Sequence, residues 1–435
     1  MDLQIRRITE DEFVPFLLAS ELASGDVPDR DEIERERSIA EPDRNFAAFD
    51  GPDIVGTAGA FTMPMTVPGG LLVIGYPTLV GVLPTHRRRG IGARLMRALL
   101  DDARERGELL SVLYASEGGI YGRYGFGLGT IGVRLRIDSA RSAFVRGYEA
   151  SGQIRLVDRE RAAKEILGVH EATRLGISGM VHLDERRLAY VIGHEHGAEK
   201  QRASFFALHE GATGVDGCTM YKVAQDWHGG TPNSTLHVRD LVGANPGAYA
   251  DLWRFVLDVD LVTSVEASNR PIDEPLFHLM REPRRLRARM SDNLWVRLVD
   301  VPSALAARRY AAAGRLVLEV ADPFCPWNGG RYALEAVEDG AAIVNPTTDA
   351  AEIACTASDL GATYLGGTSF RELRRAGRVE QRAEGALARA DAMFRTAARV
   401  MMNATMVGGS WICFSRQFSR ARASMNMSRP LFLYS

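Results

Sequence analysis

Residues 80–92 constrain this chain more than any other stretch. A β-branched apolar run over residues 71–82 ends in a turn that carries Arg87, Arg88, Arg89, Gly90, Ile91 and Gly92 in succession. A helical pattern begins at once. Ile91, Leu95, Leu99, Leu100 and Ala103 recur at helical spacing within 89–106, and Gly107 stops the helix. The first N–H groups of a helix have no internal partner and sit at the positive end of its dipole, so this strand–turn–helix unit is an anion site. Gly90 and Gly92 remove Cβ atoms where a phosphate oxygen must approach, and the arginines add charge-assisted hydrogen bonds. The pattern is neither GxxxxGK[ST] nor GxGxxG, which excludes a P-loop or Rossmann reading.

Around this unit the first segment, to about residue 150, reads as α/β. Strands are expected at 46–49 and 54–61, broken by Asp50, Gly51 and Pro52, and again at 109–115 and 129–137. Residues 151–287 echo the unit with a strand at 235–242, a helix at 245–256 and a strand at 261–265. The turn of the echo, Gly243, Ala244, Asn245, Pro246 and Gly247, contains no arginine. It reads as a second copy of the fold without the ligand chemistry. Residues 288–398 form an α+β module that opens with a strand at 294–300 and a helix at 302–312. Strands follow near 316–320, 331–337 and 342–345, and a helix starts at Ser369. At about 150 residues per domain, a chain of 435 residues fits these three segments. Residues 399–435 hold no Asp or Glu and are rich in Met, Ser and Arg. Such a tail cannot easily offset its ordering entropy, so weak order is expected across 400–435.

Residues 87–92 satisfy [QR]-x-x-G-x-[GA], and in this the chain resembles the GNAT superfamily of acetyl-CoA-dependent N-acetyltransferases. A narrower resemblance rests on residues 84–90 together with 115–125, which run Ala115, Ser116, Glu117, Gly118, Gly119, Ile120, Tyr121, Gly122, Arg123, Tyr124, Gly125. Both runs are similar to the Eis (enhanced intracellular survival) family of aminoglycoside N-acetyltransferases, and the likeness extends to about residue 395. The resemblance implies two GNAT-like domains, of which only the first binds acetyl-CoA, and a third domain similar to sterol carrier proteins. It also implies a hexamer. It implies that Val80, Gly81 and Val82 pair with the pantetheine arm, the Val82 N–H facing the thioester oxygen. Arg87 opens the phosphate motif, and Arg88, Arg89, Gly90, Ile91, Gly92 and Ala93 would hold the pyrophosphate. Ser116 and Glu117 would complete the groove, and Tyr121 matches the general acid of the family.

The chemistry asks for such an acid on its own account, because a phenol can protonate the departing CoA thiolate. It also asks for a base, since an alkylammonium of pKa about 10 must lose a proton before it attacks. In the family the C-terminal carboxylate plays that part. The end of the family falls shortly beyond Phe394, whereas this chain continues to Ser435, so either Ser435 or another group serves. Asp26, Asp29, Asp31, Glu32, Glu34 and Glu36 crowd one short segment. Such a patch would draw a polyamine, with Asp26 as its contact, although interleaved Arg30, Arg35 and Arg37 fit a solvated helix of i,i+4 pairs equally well.

Other chemistries are poorly served. Lys+Arg of 53 against Asp+Glu of 55 gives a net charge of -2, which argues against a nucleic-acid coat. Cys218, Cys325, Cys355 and Cys413 form no CxxC pair and fit a reducing, cytoplasmic setting. His194, Glu195 and His196 lack the HExxH spacing, and no metal is expected. The N-terminus lacks an apolar signal core, and no stretch approaches a membrane span. The expected activity is acetyl transfer to an amine acceptor, with aminoglycosides or similar polyamines first. Lysine acetylation is the alternative within the enzyme class, and ligand binding without turnover the one outside it.

Overall fold

The computed structural model describes residues 3–193, 203–396 and 399–400. In chain order the first elements are β1 (Gln4–Arg7), α1 (Phe13–Ser24), α2 (Arg30–Ile39), β2 (Phe46–Asp50), β3 (Asp53–Val67) and β4 (Gly70–Val82). Then come α3 (Ile91–Glu105), β5 (Leu110–Tyr114), α4 (Gly118–Tyr121), β6 (Gly127–Leu128) and β7 (Ile131–Asp138). The α3 stripe anticipated from its periodicity is the buried one: Ile91, Leu95, Met96, Leu99, Leu100 and Ala103 face the sheet. Gly56 on β3 leaves room for this, since a Cβ there would stand 3.0 Å from the Ile91 Cγ2.

Sheet membership divides the chain differently from a linear reading. The first sheet has the order β1, β2, β3, β4, β5, then Leu294–Leu298, then β6. The second has the order Arg289–Asp292, β7, Val262–Pro271, Ser234–Gly243, Gly214–Ala224, Ser204–Gly211, Gln153–Val157. A strand before residue 150 thus lies in the second sheet, and the strand expected to open the third segment completes the first. Alternation of apolar and polar residues marks a strand but not its neighbour, so the cut points at 150 and 288 could not reveal this exchange. A five-stranded sheet built on Gly314–Ala321 forms the third unit.

The helix expected over 302–312 ends at Ala307. Arg308 turns extended there, and its buried guanidinium donates to the Tyr364 carbonyl (2.8 Å) and the Phe394 carbonyl (2.9 Å), the last residues of two other helices. A cation at two helix C-termini is favourable, and that tertiary demand overrides the local helical pattern. The helix Ala357–Tyr364 lies across Leu294–Leu298 and β6 with backbones almost touching. A Cβ on Gly361 would fall 2.1 Å from the Val296 oxygen, and one on Gly127 would fall 1.8 Å from the Ser358 oxygen. Arg399–Val400 pairs in parallel with Ile177–Ser178. The remainder of the tail, with Ser435 and the expectation of weak order, lies outside the described residues.

Candidate functional site

The strands β4 and β5 are parallel neighbours joined at one bridge, Gly75 to Ser111. Past that bridge Pro77 offers no N–H, Leu79 adopts φ 50°, and the β3–β4 register shifts between Thr57 and Gly59. The strands therefore part towards Val82. Gly75 is itself pinned from below: the Glu108 carboxylate, held by the buried Arg44, would lie 2.6 Å from a Cβ there. Leu83 N–H donates to Val55 (3.0 Å), and strand alternation then turns the Val82 N–H away from β3, into the gap. Gly81 faces α1 so closely that a Cβ would stand 2.8 Å from the Ala23 methyl.

The gap leads to the turn. Arg88 at φ 64° and Gly90 at φ 77° are left-handed positions two apart, a form that aims backbone N–H groups into one concavity. Gly90 is the N-cap of α3, and its first turn has neither a side-chain cap nor an acidic residue among the described residues. Arg88 and Arg89 are exposed at the rim. Arg87 also ties the turn to β4 and α1: its guanidinium donates to the Val82 carbonyl (3.2 Å) and to the Ala23 carbonyl (2.8 Å). Ile91 is buried in the core and Ala93 packs beside it, so each could reach a ligand through its backbone. A Cβ on Gly92 would look onto the Tyr124 hydroxyl at 3.7 Å and a Val82 methyl at 3.9 Å.

Ser116 and Glu117 are exposed just after β5, and Glu117 is the N-cap of α4. Tyr121 ends that helix 6% exposed, its ring edge-on to Phe126 at 6.1 Å. It belongs to the same buried cluster as Tyr124, and the half-buried Val80 and Val82 pack against that cluster. Trp295 and Asp292 escaped the sequence reading because they stand far along the chain. The Trp295 indole donates to Asp292 (2.9 Å), and both pack against the missing side chain of Gly118, at 3.4 and 3.5 Å from its Cβ position.

Residues 4–129 and 179–298 each match an acetyltransferase (GNAT) domain family, and residues 301–403 match the sterol carrier protein domain family. An uncharacterized N-acetyltransferase of Streptomyces avermitilis is 40% identical over 84% of this chain and 90% of its own length. The N-acetyltransferase Eis of Mycobacterium tuberculosis is 32% identical over 80% of this chain and 84% of its own. Eis1 from Mycobacterium abscessus superposes with a TM-score of 0.80 at 31% identity, covering 92% of this chain and 99% of that one. The chain belongs to the Eis family of GNAT N-acetyltransferases.

In this Eis-type chain the second GNAT unit fills the corresponding space from within. Ser234–Gly243 pairs with Val262–Pro271 only from Ser234 opposite Val262 to Val238 opposite Ala267, and beyond that the buried Arg270 guanidinium donates to the Leu241 carbonyl (3.1 Å). Asn245 caps its own helix by accepting from Ala248 N–H (2.9 Å) and donates to Asp216 (2.7 Å). An anion there would meet a carboxylate and a helix end already satisfied.

The acidic segment is only in part the solvated helix that its charges suggest: Asp29, Arg30, Asp31, Glu34 and Arg37 are exposed, but Glu32 and Glu36 are buried. Asp29 and Glu32 form a capping box at the start of α2, and Asp26, half-buried in the loop before it, accepts from Val27 N–H (2.8 Å). Glu36 is 3% exposed, with Tyr190 bound to Oε1 and no hydrogen-bond partner for Oε2 among the described residues. Burial pushes its carboxyl up to about 7. The folded chain thus holds this proton more tightly than the unfolded one, so stability is full below pH 4.5 and falls as pH rises through 7. Glu36→Gln should gain on the parent by about 2–3 kcal/mol between pH 5 and pH 8, read by urea unfolding at both. A gap that does not change with pH would remove this assignment.

Among the described residues one group has metal-ligand chemistry. His170, Cys218 and Asp240 are buried together in the second unit with ligand atoms within 4.8 Å, and His170 Nε2 is 2.9 Å from Asp240. No helix among the described residues is long and apolar enough to cross a membrane.

Proposed function

We propose that this chain transfers the acetyl group of acetyl-CoA to an amine of an aminoglycoside or similar polyamine, in a ternary complex. The observation that carries the reading is the gap between β4 and β5 opening onto an uncapped α3 N-terminus rimmed by arginine. Pantetheine would lie along Val80, Gly81 and Val82, and the pyrophosphate over Arg88, Arg89, Gly90 and Gly92. Ser116 and Glu117 would border the groove. A base removes the ammonium proton, and the nitrogen lone pair forms the C–N bond to the thioester carbon. The negative charge that develops on oxygen is met by the Val82 N–H. The C–S bond breaks, its electron pair leaves on sulfur, which takes the Tyr121 proton, and the second proton of the new amide nitrogen returns to the Tyr121 phenolate. Either Ser435 or another group supplies the base, and Asp26 is the candidate for contact with the acceptor. The enzyme works in the cytoplasm as a homo-oligomer, hexameric by its resemblance.

Thiol release from acetyl-CoA with a panel of amines tests this reading. Turnover with aminoglycosides supports it, turnover with lysine peptides alone moves the acceptor to protein, and binding without turnover overturns it. Calorimetry should give one acetyl-CoA per chain, because the second unit offers Asp216 and Asn245 where the first offers arginine and open N–H groups. Two comparable sites would refute that.

A further inference from the structure

The third unit sends one loop onto the first. Residues 322–328 leave the strand Gly314–Ala321 and end in the short turn Pro326–Asn328. Asp322 on that loop is buried, and its carboxylate accepts from Arg297, a fully buried residue of the strand Leu294–Leu298. The same carboxylate accepts from Cys325 N–H (2.9 Å) and from the Asn328 amide (3.1 Å). Arg297 Nε and Nη1 have no hydrogen-bond partner among the described residues. Nη1 lies against Gly125, where a Cβ would fall 1.6 Å away. Gly125, at φ 81°, closes the turn that follows Tyr121. A guanidinium therefore fills the place of a side chain beneath this turn, and Asp322 supplies its counter-charge.

A second contact reaches the turn from the side. The Phe324 ring lies 5.0 Å from that of Tyr124, tilted by 51°. The Phe324 carbonyl accepts from Arg97 of α3 (2.9 Å). Tyr124 in turn looks with its hydroxyl towards Gly92, at the mouth of the anion cradle. Trp327 of the same loop packs elsewhere, under Arg97 and Arg104 of α3, with its N–H on the Val299 carbonyl (2.9 Å).

We propose that Asp322 and Phe324 are positioning residues of the transferase, through which the third unit holds the Gly122–Gly125 turn, and so the Tyr121 hydroxyl, in place. A buried ion pair adds little stability over an apolar pair of the same shape, so the contribution proposed for Arg297 and Asp322 is the geometry they fix. Small displacements of an acid from its leaving group cost rate steeply. The proposal rests on Tyr121 serving in the acetyl transfer described above.

The test uses the full chain, with kcat, KM for acetyl-CoA, CoA affinity and Tm measured together. Phe324→Ala should lower kcat by about tenfold with CoA affinity nearly unchanged, and Phe324→Tyr should restore it. Trp327→Leu, from the same loop but away from the turn, should lower Tm as much and leave kcat nearly intact. Asp322→Asn strands a buried guanidinium and can fail to fold. The neutral pair Arg297→Met with Asp322→Asn removes the charges, keeps an acceptor for the Cys325 N–H, and should still lose kcat by a similar factor. Full kcat in the neutral pair and in Phe324→Ala, or a loss no larger than that of Trp327→Leu at equal Tm, overturns the proposal. Failure of the functional reading would show instead in the parent chain, as CoA binding without thiol release.

Discussion

Tyr121→Phe should cut kcat by about 10²-fold or more while leaving acetyl-CoA affinity and Tm almost unchanged. The ring is nearly all buried and meets Phe126 edge-on, so phenylalanine preserves the packing and removes the hydroxyl alone. If that hydroxyl acts only as the C–S bond breaks, its loss is felt in the transition state and not in the bound complex. Single-turnover thiol release, with calorimetry on the same preparation, separates the two. Near-parental kcat would make Tyr121 a core residue and nothing more, which its place in the buried cluster also permits.

The local units of the fold were plain in the sequence. The α3 stripe, the β4 run and the echo at 234–271 each follow from periodicity and turn residues, whereas β3 continues past the expected end at Phe61 to Val67 and closes a hairpin with β4. Partnership was hidden. Leu294–Leu298 slots between β5 and β6 through pairs such as Val296 with Val112, a contact that no local pattern encodes. The fate of residue 308 was hidden for the same reason, because its two carbonyl acceptors belong to distant helices.

The candidate site divides in the same way. The turn was legible because glycine and arginine at fixed spacing have few other uses before a helix. What each arginine does was not: Arg87 holds the scaffold, while Arg88 and Arg89 stand at the rim. Charge counting also misjudged α2, since Glu32 and Glu36 turn inward and the burial of Glu36 depends on Tyr190 from the second unit. Residues such as Trp295, Asp322 and Phe324 carried no signal at all, because their places beside Gly118 and the Gly122–Gly125 turn exist only after distant parts of the chain have packed.

Two glycines of the cradle should fail for different physical reasons. Gly92→Phe places a ring where the backbone must meet the phosphate, yet its backbone is ordinary helix and its Cβ finds only contacts at 3.7 Å and beyond. Acetyl-CoA affinity should fall by about 10²-fold or more, as expected when several charge-assisted hydrogen bonds are lost together, with Tm little changed. Gly90→Val has nothing within 4 Å of its Cβ, so space is not the obstacle. Its φ of 77° is, and a β-branched residue there costs about 1–2 kcal/mol. That variant should lose Tm as well as affinity, because the turn must relax and re-aim its N–H groups. Calorimetry and thermal melts on both variants decide the matter. If Gly92→Phe binds acetyl-CoA as the parent does, the phosphates lie elsewhere and the cradle is a helix end without a ligand. If Gly90→Val matches the parent in both measurements, the left-handed turn is not what presents the backbone to the anion.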